Sequence, residues 1–504
     1  MKKTKKGISL LMSLAMGASL LSPLSAAAEE SDDVLVVIPY ATIETGDPYA
    51  ASGNDMSLMC QVFNYLFEYD ENGDPTPCLV DYYEISEDGK TYTMYLRQDV
   101  TFHDGCQFTT DDVIFSYDTM AATNLGSTLT GAIGSVTKID DYTIEMVKGT
   151  AYASVEKFLC GYLTIVDSEA YGADPDSYIT NPIGTGAYMV DHMDETTGYV
   201  YLTANENYFQ GAPEVKNVEI HVPLDSAVAL VALQNGEADF AYQLNNSDIE
   251  IAKEDDSLVV QGTEGWSQQT VLLIGEPYNS DENLRKAIYY AINRENAAIF
   301  NGEIEVKAAE NMYADKLMGD YAGTVDMEGY DPDKAAEYLA ASNYDGSTLE
   351  INVTSDKEQI AVSMQADLTA LGISCQVNLV DVNTITNMMY DCTLGITVLD
   401  YGVAYSSPEE MMSYFASTGY YGEQGMVATS EEFDAAVAAM ADIWNDEERF
   451  DAAVEALQAF KDLAIYFPLF TTSFYTVSSA EYDNVQAVWA ATYSPYLYQV
   501  TYAE

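Results

Sequence analysis

The residue types that most often carry covalent chemistry are scarce in this chain of 504 residues. Histidine occurs three times, as His103, His192 and His221, and none stands in a recognisable nucleophile–base arrangement. The sequence holds neither a G-x-S-x-G elbow nor an H-E-x-x-H pair. Carboxylates are abundant, with 81 Asp and Glu. Some pair must therefore fall within the roughly 5–9 Å used by hydrolases, and abundance makes that uninformative. The six cysteines show no C-x-x-C or Cys/His spacing of a metal site. No catalytic residue, metal or cofactor is expected. What is plentiful is aromatic surface, with 40 Tyr. Such side chains stack against a bound solute and exclude water from it, so the chemistry to expect is recognition.

Several elements must position such groups. Val34 to Ile38 is a continuous apolar run of strand length, as found where a sheet is buried on both faces. The irregular residues after it reach Pro48, and loops at strand ends are where such sheets bind ligands. Ser57 to Glu68 reads as a helix. Tyr92, Met94 and Leu96 alternate with less apolar neighbours, the period of a half-buried strand. Phe102-His103-Asp104-Gly105 makes a turn, because Gly tolerates positive φ. Thr109 can then cap a helix while Asp112 reaches back to it, and Val113, Ile114, Tyr117 and Met120 give that helix its apolar stripe. His103 and these acids are read as turn and cap formers.

Further on, Gly184-Thr185-Gly186-Ala187-Tyr188 suits a tight turn before a strand. Helices are expected at Asp225–Asn235, Asn283–Phe300, Ala361–Leu371 closed by Gly372, and at Glu431–Trp444 and Asp446–Ile465 broken at Asn445. Strands are expected at Leu349–Thr354 and Ile373–Val380. This order points to an α/β lobe.

The formal net charge is −61, and residues 1–28 hold four of the 20 Lys and Arg but none of the acids. So acidic a surface repels nucleic acid and anionic membranes. Lys2, Lys3, Lys5 and Lys6, the apolar run Ile8–Leu21 and Ala26-Ala27-Ala28 make a cleavable signal peptide over residues 1–28. Export permits disulfides, and Cys375 is expected close enough to Cys392 to pair. The first cysteine is Cys60, so no lipid-modified cysteine is expected at the cleavage site.

The unit Leu96-Arg97, Phe102-His103-Asp104-Gly105 and Thr109 to Ser116 closely resembles the signature of the family 5 extracellular solute-binding proteins, which serve peptide and nickel ABC importers. The resemblance continues through Gly184-Thr185-Gly186, Asn205, Tyr208 and Gly211, through Leu284-Arg285-Lys286-Ala287-Ile288, and to Asp331-Pro332 and Arg449. It departs at Ala187, where the family has Pro, and at Asn293, where it has Asp.

The resemblance implies an α/β fold like a periplasmic binding protein: two lobes with a hinge and an extra small domain, the class II type. Lobe I would comprise residues 31–58, 177–278 and 476–504. The accessory domain, 59–176, would pack on it, and lobe II would be 279–475. The implied function is capture of a small solute, with peptide as the leading class, and delivery to an ABC permease. A glycan or metal chelate is the alternative ligand and a secreted hydrolase the other reading. A monomer that binds no nucleic acid is expected, exported to the periplasm or cell surface. Positions expected to face the cleft are Tyr40, Trp266, Gln268, Asp400, Tyr401, Tyr405 and Trp489. Peptide binders of the family hold the ligand's ammonium with an Asp, and counting back from Pro408 lands on Ala404 instead. Asp400 is then the nearest acid that could substitute.

Overall fold

The computed structural model describes residues 34–39, 41–51, 55–70, 73–123, 126–151, 153–242, 244–302, 307–401, 407–485 and 495–503. The signal segment expected over residues 1–28 lies outside them.

The strands in chain order begin with β1 (Val34–Ile38), β2 (Phe67–Tyr69), β3 (Pro75–Pro77), β4 (Val80–Ile85), β5 (Thr91–Leu96), β6 (Ile133–Asp140) and β7 (Thr143–Lys148). They continue with β8 (Tyr188–Asp194), β9 (Tyr199–Ala204), β10 (Asn217–Ile220), β11 (Phe240–Tyr242) and β12 (Leu258–Ile274). The last long ones are β13 (Leu349–Val353), β14 (Cys375–Leu379), β15 (Gly395–Tyr401) and β16 (Tyr466–Ser479). Ten form one sheet in the order β14-β13-β15-β12-β16-β11-β1-β10-β9-β8, and β4-β5-β7-β6 form a separate four-stranded sheet.

As the unbroken apolar run requires, β1 lies inside the large sheet, parallel to β10 on one side and β11 on the other. The sheet has two halves joined by one ribbon. β12 and β16 run antiparallel along their whole length. At one end of the ribbon β16 pairs with β11 through Thr476–Ser478. At the other, β12 pairs with β15 through Gln268–Ile274. Between these the ribbon is two-stranded among the described residues, and its register slips from Glu264↔Ser473 to Gln268↔Thr471. A ribbon flanked on neither side, and interrupted there by a bulge, is the easiest part of a sheet to twist.

Four apolar clusters flank these halves, one of them Ile38, Leu233, Ala241 and Val477 on the face of β1 opposite Leu35 and Val37. Leu35, Val37, Phe63, Tyr188, Leu202 and Phe240 pack on the β1 half. Val271, Leu273, Ile288, Ile351, Ile360 and Val398 pack between the β15 half and its helices. The opposite face of that half, Leu272 and Ile274, shares one cluster with Phe415, Phe460 and Tyr466 and with Met94, Val113 and Phe158 around the small sheet.

Local chemistry explains the element boundaries. β5 shows the expected alternation, with Tyr92, Met94 and Leu96 buried. The helix Thr110–Ala121 starts with the full capping box: Thr109 Oγ1 accepts the Asp111 N–H, and Asp112 Oδ2 accepts the Thr109 N–H at 2.9 Å. Asp112 Oδ1 also accepts the Ser168 N–H at 3.0 Å, so the box ties this helix to the start of the helix Ser168–Ala173. Thr109→Ala is expected to cost about 1 kcal/mol in urea denaturation, and a loss below a few tenths would mean that Asp112 caps alone.

The first helix is shorter than its pattern, Met56–Val62 rather than 57–68. Its next carbonyl is taken from outside: the Gly186 N–H donates to Val62 O at 2.9 Å, so the chain leaves the helix and forms β2. Gly184 and Gly186 serve close approach, not positive φ. A Cβ on either would stand 2.0 Å from Val62 O or 2.3 Å from Gln61 O. The helix expected over 283–300 is two, Glu282–Ala291 and Arg294–Phe300. Asn293 divides them by accepting the Asn296 N–H at 2.9 Å as an N-cap.

The expected Cys375–Cys392 pairing is overturned: both are free. Cys375 opens β14, whose partner β13 lies between it and β15. Cys392 does not begin a strand. It stands in a left-handed turn (φ 56°) before β15, with its Sγ near Gln424 O at 3.7 Å. Residues two strands apart are about 9–10 Å from each other, beyond the reach of a disulfide.

Candidate functional site

The two motifs most legible in the sequence bind each other. His103 N–H donates to Gly184 O at 2.9 Å. The Gly184 N–H donates to His103 Nδ1 at 3.3 Å, which leaves the proton on Nε2 to donate to Gly186 O at 2.9 Å. Burial pushes the imidazole's pKa down to about 4, so it is a neutral clamp. Asn205 Nδ2 donates to the same Gly186 carbonyl at 3.1 Å. Asn64 joins the loop as well, with Thr185 Oγ1 donating to Asn64 Oδ1 at 3.0 Å. This cluster holds the β1 half against the segment that leads to the small sheet.

Of the residues expected at the cleft, Tyr40, Tyr405 and Trp489 lie outside the described residues. Trp266 lies in the ribbon's bulge, between the paired positions Glu264 and Gln268. Gln268 is opposite Thr471 on one side and Tyr401 on the other. It is fully buried, and its Oε1 has no hydrogen-bond partner among the described residues. Its Nε2 reaches Asn311 O at 3.5 Å. Asn311 then donates to Asp315 Oδ1 at 2.6 Å, at the start of the helix Asp315–Met318.

Gln268 and Asp400 do not share a face. Successive strand residues point to opposite sides, and Asp400 is opposite Gln269. Gln269 Nε2 donates to Asp400 Oδ1, and Lys357 Nζ donates to Asp400 Oδ2 at 2.6 Å. Gln269 has the parity of Val271 and Leu273, which lie under the helices. Gln268 has the parity of Leu272 and Ile274, which face the other way. The Asp400 carboxylate is thus shared by a lysine and an amide on the helix side of the sheet.

On Gln268's side lies a cavity of about 660 Å³. Its walls come from both sides of the small sheet's junction with the β15 half. One wall is Ala153, Ser154 and Lys157; the other is Leu317 to Tyr321, Ser407 to Glu409 and the first turn of the helix Asp446–Leu463. Tyr321 OH donates to Glu409 Oε1 at 2.6 Å, and its ring stacks on Phe450 at 4.9 Å. Glu409 and Arg449 are both buried, 3.5 Å apart. Arg449 spends its other donors on Ala151 O at 2.8 Å, Ile443 O at 3.1 Å and Asp446 Oδ1 at 2.7 Å. Lys148 Nζ reaches Asp446 at 3.1 Å. The Lys157 ammonium forms no ion pair among the described residues, and burial lowers its pKa. This wall can hold a solute of mixed polarity, with a desolvated cation, a buried acid and an aromatic pair.

Sequence reasoning missed Lys157, Tyr321 and Glu409. Only Lys157 carried a signal, as a cation beside Glu156 just before the apolar run Phe158–Val166. Arg449 was visible only as a family position.

Residues 74–423 match the family model described as bacterial extracellular solute-binding proteins, family 5 Middle. The glutathione-binding protein GsiB of Pectobacterium atrosepticum is 26% identical over 387 residues, spanning 72% of this chain and 71% of that protein. A probable di/tripeptide-binding protein 5 of Pseudomonas aeruginosa is 27% identical over 411 residues, 74% of each chain. Among solved structures, the ABC transporter substrate-binding protein CtaP of Listeria monocytogenes superposes with a TM-score of 0.83 at 21% identity, over 94% of this chain and 99% of that one. The fold is therefore the α/β, two-lobed one of these binding proteins.

Proposed function

Because the chain belongs to the family 5 bacterial extracellular solute-binding proteins, we propose that it captures a small peptide between its two lobes and presents it to an ABC permease. The observation that carries this reading is the two-stranded stretch of β12 and β16, the link in the sheet between its halves. A pair of strands flanked by nothing lets one half rotate on the other, and a solute that touches both halves shifts the balance toward the closed form. We assign the hinge to the two-stranded stretch around Gly262–Ser267 and Phe474, at the start of the crossing expected near Trp266–Asn279, and the lobes to the residue ranges expected from the sequence. The relatives named for glutathione and for di- and tripeptides favour a peptide. Trp266, Gln268 and Tyr401 are the proposed ribbon contacts, with Tyr40, Tyr405 and Trp489 from the adjoining loops. Asp400 is the proposed acceptor for the ligand's ammonium, which would displace the Lys357 and Gln269 donors that now share its carboxylate. The protein acts as an exported monomer and catalyses no reaction.

Titration calorimetry against a small peptide library, free and N-acetylated, tests the ligand class. Free peptides are expected to bind, and saturating peptide should reduce the radius of gyration in small-angle scattering and raise the Tm by mass action. Asp400→Asn should weaken binding about as much as acetylation does. Binding that is indifferent to acetylation would replace the peptide with a ligand lacking a free amine, a glycan or metal chelate. Saturation without compaction would remove the two-lobe mechanism.

A further inference from the structure

Beside the His103 clamp, and sharing no residue with the cavity, three side chains converge from two distant parts of the chain. Asp104 and Cys106 lie in the turn between β5 and the helix Thr110–Ala121, and Asp167 opens the helix Ser168–Ala173. Two carboxylate oxygens and one sulfur, one from each residue, all lie within 4.8 Å of one another. Asp104 and Cys106 are exposed, whereas Asp167 is 2% exposed.

The half-used Asp167 carboxylate sets this group apart from an ordinary acidic patch. Its Oδ1 caps the helix, accepting the Ala170 N–H at 2.8 Å. Among the described residues its Oδ2 is buried without a hydrogen-bond partner and no lysine or arginine pairs with Asp167, while the Cys106 thiol beside it donates to Asp104 Oδ2 at 3.4 Å. A buried carboxylate oxygen without a donor is costly, and its neighbours here are another carboxylate and a thiol. Tyr178 OH stands near with no partner of its own among the described residues; burial and the charges of Asp167 and Asp104 push its pKa far up, so it stays a neutral phenol. A cation at the centre would relieve the acids, and the thiol narrows which cation. One thiolate with two carboxylates suits a borderline divalent ion such as Zn²⁺ over Mg²⁺ or Ca²⁺, which take oxygen alone. His103 is not available as a fourth ligand, since both its ring nitrogens are engaged with the Gly184–Gly186 loop. The fourth position is left to water.

We propose that Asp104, Cys106 and Asp167 form a divalent transition-metal site, of Zn²⁺ type, that ties the Phe102–Gly105 turn to the start of the helix Ser168–Ala173. Bound metal would brace the loop that carries the His103 clamp, apart from any solute between the lobes.

The test uses the full mature protein stripped with a chelator and refilled with Zn²⁺ against a chromophoric competitor, or with Co²⁺ for spectroscopy. The wild type is expected to take up one Co²⁺ with a thiolate-to-cobalt charge-transfer band. Zn²⁺ should protect Cys106 from alkylation in peptide mapping, which separates it from the half-exposed Cys375 and Cys392. Cys106→Ser should abolish the band and weaken Zn²⁺ at least tenfold. Asp167→Asn should weaken it similarly while keeping the helix, since Asn caps as well as Asp, and far-ultraviolet circular dichroism verifies that. Equal Zn²⁺ affinity in all three proteins, a band that survives Cys106→Ser, or only the diffuse binding of any acidic surface would overturn the site. So would an experimental structure in zinc in which Tyr178 donates to Asp167 and no ion is present.

Discussion

Arg449→Ala is expected to destabilise the protein by about 3–5 kcal/mol, as breaking a buried ion pair from one side does. The side chain is 4% exposed and so is that of its partner Glu409. Without the guanidinium, the Glu409 carboxylate keeps only the Tyr321 hydroxyl at 2.6 Å as a donor among the described residues. Ala151 O loses the Arg449 N–H at 2.8 Å, and the cross-link from the small sheet's side to the helix Asp446–Leu463 is reduced to Lys148–Asp446. Urea denaturation measures the loss. Adding Glu409→Gln to the variant should recover part of it, because the second change removes the stranded charge; a strictly additive double mutant would show that the pair is not coupled. The same variant should bind peptide less well, since Arg449 and Glu409 shape the cavity wall.

Gly186→Ala is expected to cost on the order of 3–5 kcal/mol, more than an ordinary overpacking change. The new Cβ would lie 2.3 Å from Gln61 O and 2.4 Å from Val62 C, both backbone atoms that no rotamer can move aside. Relieving the clash means shifting the loop away from Val62, which breaks the Gly186–Val62, His103–Gly186 and Asn205–Gly186 hydrogen bonds together. Gly105→Ala provides the contrast. That residue has φ 92° but nothing within 4 Å of a built Cβ, so only backbone strain of about 1–2 kcal/mol applies. If thermal melts rank Gly105→Ala as the worse change, the close-approach account of the G-T-G loop fails.

These cases show which information the sequence carried. The capping box, the alternation of β5 and the buried run of β1 were readable because each depends on neighbours within four residues. The stop of the first helix at Val62 was not, because the group that ends it comes from Gly186. The helix break at Asn293 was readable in principle, from a capping residue inside the pattern. The free state of Cys375 and Cys392 depends on β13 lying between two strands that follow it in sequence, and periodicity reports a strand's burial but not its neighbour. The binding region divides the same way. Gln268 and Asp400 were both legible as residues near a crossing, yet the pairing Gln269↔Asp400 decides which of them faces the helices. Lys157 and Glu409 come together only because two parts of the chain with separate patterns share one cavity.

The place of β16 in the sheet has a consequence for the order of events during synthesis. This strand lies between β11 and β12, and both pair with it rather than with each other. A ribosome that has made residues 34–465 has therefore produced two incomplete half-sheets, each exposing an unpaired edge to the other. Neither can close until Tyr466–Ser479 arrives to lie between them. Contacts this distant in sequence form slowly, and the nascent chain stays open until nearly all of it has been made. For a member of a family of extracellular proteins, late completion of the central strand keeps the chain open through most of translation.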